Sequence, residues 1–457
     1  MQFDRIAEAR WDRMFAQWVQ FLLRGSPEQL AISLAGKHLG GSQRQACQWR
    51  NGAFNVCYRV RSDSGLEAVV RFSALGRTVF RTEKVENEVV VLRFLRENTA
   101  IPVPEVFGTG KIHTGPFIVM SYINGTPLAN IIKDPSVAGQ PVLNPRISER
   151  DLRRAYREMC KLLLELSKPE FPKIGALVES PDGKFIVARR AFTFGMNELS
   201  TLANIPRHVF PETVLETAHD YFTHLASQHV SHFLLQRNDA IEDEADCRKK
   251  FVARCLFRKL IRQHVQFEHN HGPFRLYCDD FRPSNVLVDI EKQRISAAID
   301  WEFTYAAPAE FSYVAPWWLL LQGPEGWDSN LAEFFAAQFM PRFHIFLGAL
   351  RAAEEEMIAH DTLQDNQRLS RHMEKSLDNG LFWLCLAARN SQMFDEVYWT
   401  FIDQVYYGKY ASVEDRAEKH LDEAERDMLA RIYQIKMEQA KDGKIDEHYS
   451  IDEAMDL

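Results

Sequence analysis

Long apolar runs are missing from this chain: none approaches the roughly 18 to 20 residues that span a bilayer, and the longest suspicious stretch, Val314 to Leu321, is far too short. A helical membrane protein is therefore excluded. The first residues lack a secretory apolar segment as well, because Asp4, Arg5, Glu8, Arg10 and Asp12 interrupt it. Paired cysteines are absent. Seven cysteines, spread from Cys47 to Cys385 without a CxxC pair, exclude a disulfide framework and predict reduced thiols in the cytoplasm. Positive charge is not in excess: 55 Lys and Arg face 63 Asp and Glu, giving a net charge of −8, so there is no basic footprint for nucleic acid. Repeats and low-complexity tracts are missing too. A Walker loop is only mimicked. Gly108-Thr109-Gly110-Lys111 looks like its end, but Glu105 and Ile112 stand where the motif needs Gly and Ser or Thr, so the segment reads as a turn between strands.

What is present is 457 residues with 46% hydrophobic content, enough for a core larger than one small domain. The most informative segment runs from Leu276 to Asp289 and on to Glu302. Asp280 and Asn285, separated by four residues, fit a short loop that turns both side chains toward one point. Val286-Leu287-Val288 then reads as a buried strand, and a second strand from Ile295 to Ile299 delivers Asp300. Three oxygen-bearing side chains gathered in this way suit a hard cation such as Mg²⁺. Phosphoryl transfer needs such ligands and a carboxylate beside the attacking hydroxyl. The competing reading is a surface hairpin with ordinary turn acids.

These residues resemble the aminoglycoside phosphotransferase and choline kinase-like group, which shares a protein-kinase-like fold. The group's loop commonly reads His-Gly-Asp-x4-Asn, and its metal strand Ile-Asp-Trp/Phe-Glu. Here Asp280, Asn285 and Asp300-Trp301-Glu302 match, whereas Cys278 and Asp279 replace the His and Gly, a variant similar to that of fungal members of unassigned substrate. Cys278, beside two acids, reads as a buried structural thiol rather than a nucleophile.

The upstream order agrees with the resemblance. Arg50 to Val60 reads as a turn leading into an alternating strand, with Gly52, Phe54 and Asn55 at the nucleotide phosphates and Gly52 permitting close backbone approach. After a turn at Asp63-Ser64-Gly65, the strand Ala68 to Phe72 puts Arg71 where the fold keeps a phosphate-contacting lysine, and the helix Val85 to Arg96 offers Glu88 as its ion partner. Arginine presents a bulkier, planar fork than lysine. Read alone, Arg71 is a surface arginine and Glu88 a solvated helix acid. Pro102-Val103-Pro104 stops the helix. Phe117 to Leu128 then forms a strand and glycine turn, with adenine against backbone near Ser121 and Ile123.

The resemblance implies an α+β, two-lobed architecture: a helical extension over 1–40, a small antiparallel-sheet lobe over 41–123, a large, mainly helical lobe over 124–410, and a charged helix and tail over 411–457. It further implies an enzyme that uses ATP and Mg²⁺ to phosphorylate a small-molecule hydroxyl. Asp280 would act as the base and Asn285 and Asp300 as metal ligands, with Glu302 assisting from behind. The alternative is a nucleotide-binding pseudokinase with a regulatory role, motivated by Arg71 and Cys278. Protein kinase activity is disfavoured, because His-Arg-Asp, Asp-Phe-Gly and Ala-Pro-Glu are all missing. Neither nucleic acid nor membrane is an expected partner, and oligomeric state is not readable.

Several smaller features carry double readings. Ile6 to Leu23 is a helix with an apolar stripe of Trp11, Phe15, Trp18 and Leu22. Glu149 to Leu166 is an amphipathic helix, and specificity is expected in the insertion from Lys173 to Gly272 and farther downstream. Glu242 to Asp246 reads as a solvated helix start rather than a cation site. His264, Glu268, His269 and His271 read as a helix end rather than a metal site. Tyr313 to Trp318 and Trp327 are core aromatics or an acceptor wall, and the terminal helix is expected to lie on the large lobe and fray after Gly443.

Overall fold

Alternating apolar strands punctuated by glycine turns build the first lobe. The computed structural model describes residues 1–39, 43–328, 330–449 and 453, without the side chains of residues 43, 44, 50 and 51. Gly41, where the small lobe was expected to open, lies outside the described residues. Strands β1 (Gln43–Asn51), β2 (Asn55–Ser62), β3 (Glu67–Ser73), β4 (Val106–Ile112) and β5 (Gly115–Ser121) form one antiparallel sheet in the order β1-β2-β3-β5-β4. The Asp63-Ser64-Gly65 turn joins β2 to β3, with Gly65 at φ +80°. Residues 108–111 correct an expectation: they form the middle of β4, not a turn. Their glycines serve close packing. A Cβ at Gly108 would sit 2.0 Å from the His38 ring, so a side chain there would displace that ring.

Helices α1 (Arg5–Arg24) and α2 (Pro27–Leu39) cover this sheet. Asp4 caps α1 by accepting from the Ile6 and Ala7 amides. The buried stripe is Trp11, Met14, Trp18 and Leu22. Met14 thus takes the inward place expected of Phe15, whose ring lies half-buried beneath Arg77. Helix α3 (Arg81–Asn98) begins a turn earlier than its apolar pattern suggested. Its Val85 and Val89 pack on Cys57, Val69, Ile118 and Met120, forming an apolar roof.

The larger lobe is mainly helical, with α4 (Leu128–Ile132), α5 (Glu149–Ser167), α6 (Phe194–Thr201), α7 (Ala218–Leu235) and α8 (Glu244–Gln263) followed by further helices to residue 442. Asp243 caps α8, so the acids from Glu242 to Asp246 serve a helix start. Short strands β6 (Thr126–Pro127), β7 (Glu170–Phe171), β8 (Ala176–Glu179), β9 (Phe185–Arg189), β10 (Phe274–Cys278), β11 (Val286–Asp289), β12 (Arg294–Ala298) and β13 (Thr304–Ala307) complete it. Two pairings decide the site. β10 runs antiparallel to β13 with Cys278 opposite Thr304, and β11 runs antiparallel to β12 with Val286 opposite Ala298. The connections 279–285 and 299–303 must therefore lie side by side. Backbone bonds from Asp279 N to Phe303 O (3.1 Å) and from Ile299 N to Asn285 O (2.8 Å) lock them.

The end of the chain differs from the expectation of one frayed helix. Two helices form, Val413–His420 and Glu423–Asp442, because Asp422 and Glu425 make a capping box that starts a new helix. Both pack on α8. Beyond Gly443 the chain returns to the first lobe, where Tyr449 is buried beside Trp11 and Phe80 and its hydroxyl donates to Ile205 O at 3.0 Å.

Candidate active site

A cavity of about 670 Å³ opens between the lobes, lined by Gly52, Phe54, Asn55, Arg71, Ser121 and Ile123 from the first lobe and by Asp280, Asn285 and Asp300 from the second. The residues expected to serve as base, metal ligands and nucleotide contacts all line it except Glu88, which pairs with Arg71. Apolar lining comes from Trp49, Val69, Met120, Leu287 and Ile299, side chains of the kind that pack against a planar base. The hinge is held by Tyr122, with Arg59 over its ring at 3.8 Å and Trp49 edge-on at 5.2 Å.

Arg71 lies on β3 opposite Cys57 and Ile118, inside the sheet rather than at a surface end. One arm of its guanidinium pairs with buried Glu88. Its other arm donates to Asp300 Oδ1 at 2.8 Å. The planar fork thus serves two carboxylates at once, which a lysine ammonium would do with less defined geometry. Asp300 has φ +59°, a left-handed conformation that Asp adopts more readily than most residues. That backbone turn lets it leave β12 and face the cavity.

Asp280 sits in the loop after β10. Its Oδ2 accepts from Asn285 Nδ2 at 3.1 Å, and its Oδ1 pairs with Arg282 Nε at 2.9 Å. Burial pushes its carboxyl up to about 6, against the opposing pull of Arg282 and Asn285. Such a carboxylate is ionised at neutral pH yet basic enough to receive a hydroxyl proton. The Asn285 amide also donates to the Asp280 carbonyl at 2.9 Å, so its Nδ2 is occupied within the loop and its Oδ1 is the group left to face a ligand. Asn285 Oδ1 and the Asp300 carboxylate are hard oxygen donors, the type Mg²⁺ accepts. The site therefore fits such an ion.

Glu302, expected to assist behind the metal site, lines the same cavity and is engaged by Lys84 and Asn55. Burial alone would raise its carboxyl, but Lys84 overrides that and holds it below the ordinary range. Lys84 Nζ lies 2.6 Å from Glu302 Oε2 and 2.8 Å from Asn55 Oδ1. Lys84 was missed in the sequence. It lies one helical turn before Glu88, and that four-residue spacing was the available signal.

The far side of the cavity is formed by Thr193, Phe194 and Glu198 around α6, by Tyr221, Leu225 and Gln228 of α7, and by Arg389 of the helix Leu381–Arg389. Asp279, standing where related loops have Gly, ties these together: it accepts from Phe194 N at 3.0 Å and from the Tyr305 hydroxyl at 3.3 Å, with Arg389 3.9 Å away. Arg389 also bonds the Tyr277 hydroxyl. Burial, with Glu325 and Asp279 nearby, pushes the Glu198 carboxyl up to about 8. None of Glu198, Glu325 or Arg389 was singled out in the sequence, because each lies well outside the motif that it joins. The acids of Glu242 to Asp246 do not line the cavity. Trp317 lines it, while Trp318 is core against Tyr156 and Phe346. Cys278 is buried, and burial drives its thiol upward, away from nucleophilic character. Among the described residues no cluster of three His, Cys, Asp or Glu forms a metal site near His264 or elsewhere.

Comparison with known proteins follows the same line. Curated relatives include clavilactone A biosynthesis cluster protein Y of Ampulloclitocybe clavipes, 26% identical over 277 residues, covering 58% of this chain and 62% of that protein. Another is altered inheritance of mitochondria protein 9, mitochondrial, of Yarrowia lipolytica, 26% identical over 351 residues, covering 69% of this chain and 57% of that protein. The chain thus spans about three-fifths of the length of each. Similar solved structures include a macrolide 2'-phosphotransferase from Brachybacterium faecium (13% identity, 81% of this chain and 96% of that one, TM-score 0.39). A GDP complex of aminoglycoside 2'-phosphotransferase-IIIa is also similar (12%, 94% and 99%, TM-score 0.39). The model of the APH phosphotransferase enzyme family matches residues 47–355, from β1 through the cavity-lining loops. With that match over more than half of its length, the chain belongs to the phosphotransferase enzyme family.

Proposed function

We propose that the protein transfers the γ-phosphoryl group of ATP to a hydroxyl of a small molecule with the help of Mg²⁺. The observation that carries this reading is the convergence of Asp280, Asn285 and Asp300 on one cavity beneath the Arg71–Glu88 pair. Asp280 orients the acceptor hydroxyl and takes its proton. Asn285 Oδ1 and the Asp300 carboxylate would hold Mg²⁺, which would supply charge neutralisation at the phosphates. Arg71 contacts phosphate, Glu88 fixes Arg71, and the turn at Gly52 lets backbone amides approach the phosphate oxygens. The base lies in the slot between Val69 and Met120 above and Leu287 and Ile299 below, bonded to backbone near Ser121 and Ile123. The acceptor occupies the side walled by α6, α7 and Arg389. Six of seven free cysteines are buried, which fits a reducing compartment such as the cytoplasm, a placement that subcellular fractionation tests.

Incubating the protein with Mg²⁺-ATP or Mg²⁺-GTP and a pool of aminoglycosides, amino alcohols, sugars and fungal metabolites, followed by mass spectrometry, tests this reading. A product heavier by one phosphate and missing with Asp280→Ala supports it. The ion pair between Arg71 and Asp300 at 2.8 Å favours a second reading, a nucleotide-binding pseudokinase, since it engages a carboxylate needed for the metal. Melting shifts by ATP that do not depend on Mg²⁺, with no phosphorylated product, would favour that alternative.

A further inference from the structure

We propose that Lys84, Asn55 and Glu302 form a positioning unit that fixes the glycine turn of the small lobe for triphosphate binding. The proposal rests on the nucleotide-binding reading above. Three side chains close a triangle: Lys84 Nζ donates to Asn55 Oδ1 (2.8 Å) and Glu302 Oε2 (2.6 Å), and Asn55 Nδ2 donates to the same Glu302 oxygen (3.0 Å). Asn55 is the first residue of β2 and closes the turn through its carbonyl, which accepts from Gly52 N at 2.9 Å. Phe54, beside it, sets its ring edge-on against Phe303 at 5.3 Å and Phe194 at 5.9 Å. The turn is therefore pinned to the large lobe by two consecutive residues, one through charge and one through ring packing.

Stability does not explain the triangle. The Lys84 side chain is wholly buried against a single carboxylate, and well-packed apolar residues in place of such a pair are often neutral or more stable. What the ion pair does provide is geometry. Lys84 and Glu88 lie one turn apart on α3, and Glu302 and Asp300 lie two apart in the connection after β12. Lys84 reaches Glu302 directly, whereas Glu88 reaches Asp300 through Arg71. The helix is thus fastened twice to the connection that bears Asp300, and Asn55 adds the glycine turn to the same fastening. Loss of the triangle would free the turn while leaving the base slot, formed by other residues, as it is.

Calorimetric titration with the Mg²⁺ complex of the non-hydrolysable analogue AMP-PNP, beside ligand-observed NMR of adenosine, separates the two effects. Lys84→Met alone leaves Glu302 buried and unpaired, so the paired variant Lys84→Met/Glu302→Gln is used, with Asn55→Ala as a milder probe. The paired variant should bind AMP-PNP about tenfold more weakly and Asn55→Ala several-fold more weakly, both with unchanged adenosine affinity and native circular dichroism. Equal losses for both ligands, or no loss for either, would overturn the positioning role alone. Wild-type protein that binds neither ligand would overturn both this role and the nucleotide-binding reading.

Discussion

At the residue scale, burial works against the charged form of the Asp280 carboxyl. Its carboxyl stands at about 6 in the folded chain against an ordinary 3.8, so the folded state holds a proton that the unfolded state has released between those values. Stability therefore falls as pH rises through that window, by about 3 kcal/mol in total. Asp280→Asn should abolish turnover and raise the nucleotide-free protein's stability by up to about 3 kcal/mol at pH 7.5. At pH 4 it should bring little gain. Urea denaturation at the two pH values checks this, and an equal gain at both would reject it. Turnover of the native protein should decline below about pH 6 as Asp280 becomes protonated. Arg71 behaves differently, because its removal leaves Glu88, 1% exposed, as a buried unpaired charge. Arg71→Met should cost about 3 kcal/mol in the same denaturation assay. A cost below 1 kcal/mol would mean that the pair contributes little to folding.

Elements explain how such residues meet. The register of β10 with β13 and of β11 with β12 brings two short connections together, and a one-residue slip in either pair would turn their flanking side chains to the opposite face. Helix α1, which lies outside the catalytic motifs, is nonetheless packed tightly on the loop after β3. Gly76 there has φ +84°, and a Cβ on it would lie 2.4 Å from the Trp11 carbonyl and 2.5 Å from the Phe15 amide of α1. Both the backbone conformation and the space demand glycine. Gly76→Ala should therefore lower stability by about 2 kcal/mol or more, measured by thermal unfolding, whereas Gly65→Ala, with open space around its Cβ position, should cost less. Equal effects would show that α1 can move away freely. Helix α6 is held at its start by the Thr193 side chain on Met196 N and by Asp279 on Phe194 N, so this wall of the cavity is fastened to the loop that carries Asp280.

Across the whole molecule, distant segments of chain close the structure. Tyr449 returns to the core around Trp11 and Phe80, so residues from both ends of the described chain pack together on the small lobe. Tyr449→Ala should cost about 3 kcal/mol or more by chemical denaturation without altering adenosine affinity. A neutral substitution would mean that the tail is not part of the cooperative unit. The sequence by itself determined the order in which the candidate-site residues follow one another along the chain: glycine turn, Arg71, Glu88, Ser121, Asp280, Asn285 and Asp300. Spacing within one strand or loop is a local property, and hairpin geometry turns it into position. It also determined the absence of long apolar runs, and among the described residues no helix is long and apolar enough to cross a membrane. Tertiary structure alone decided which charges pair. Lys84, which nothing in its local sequence singles out, is buried against a carboxylate 218 positions away, and Arg389 meets Asp279 only because a late helix packs beside the loop after β10. Such choices follow from packing and desolvation summed over many elements, where the low-dielectric interior strengthens the ion pairs that packing brings together.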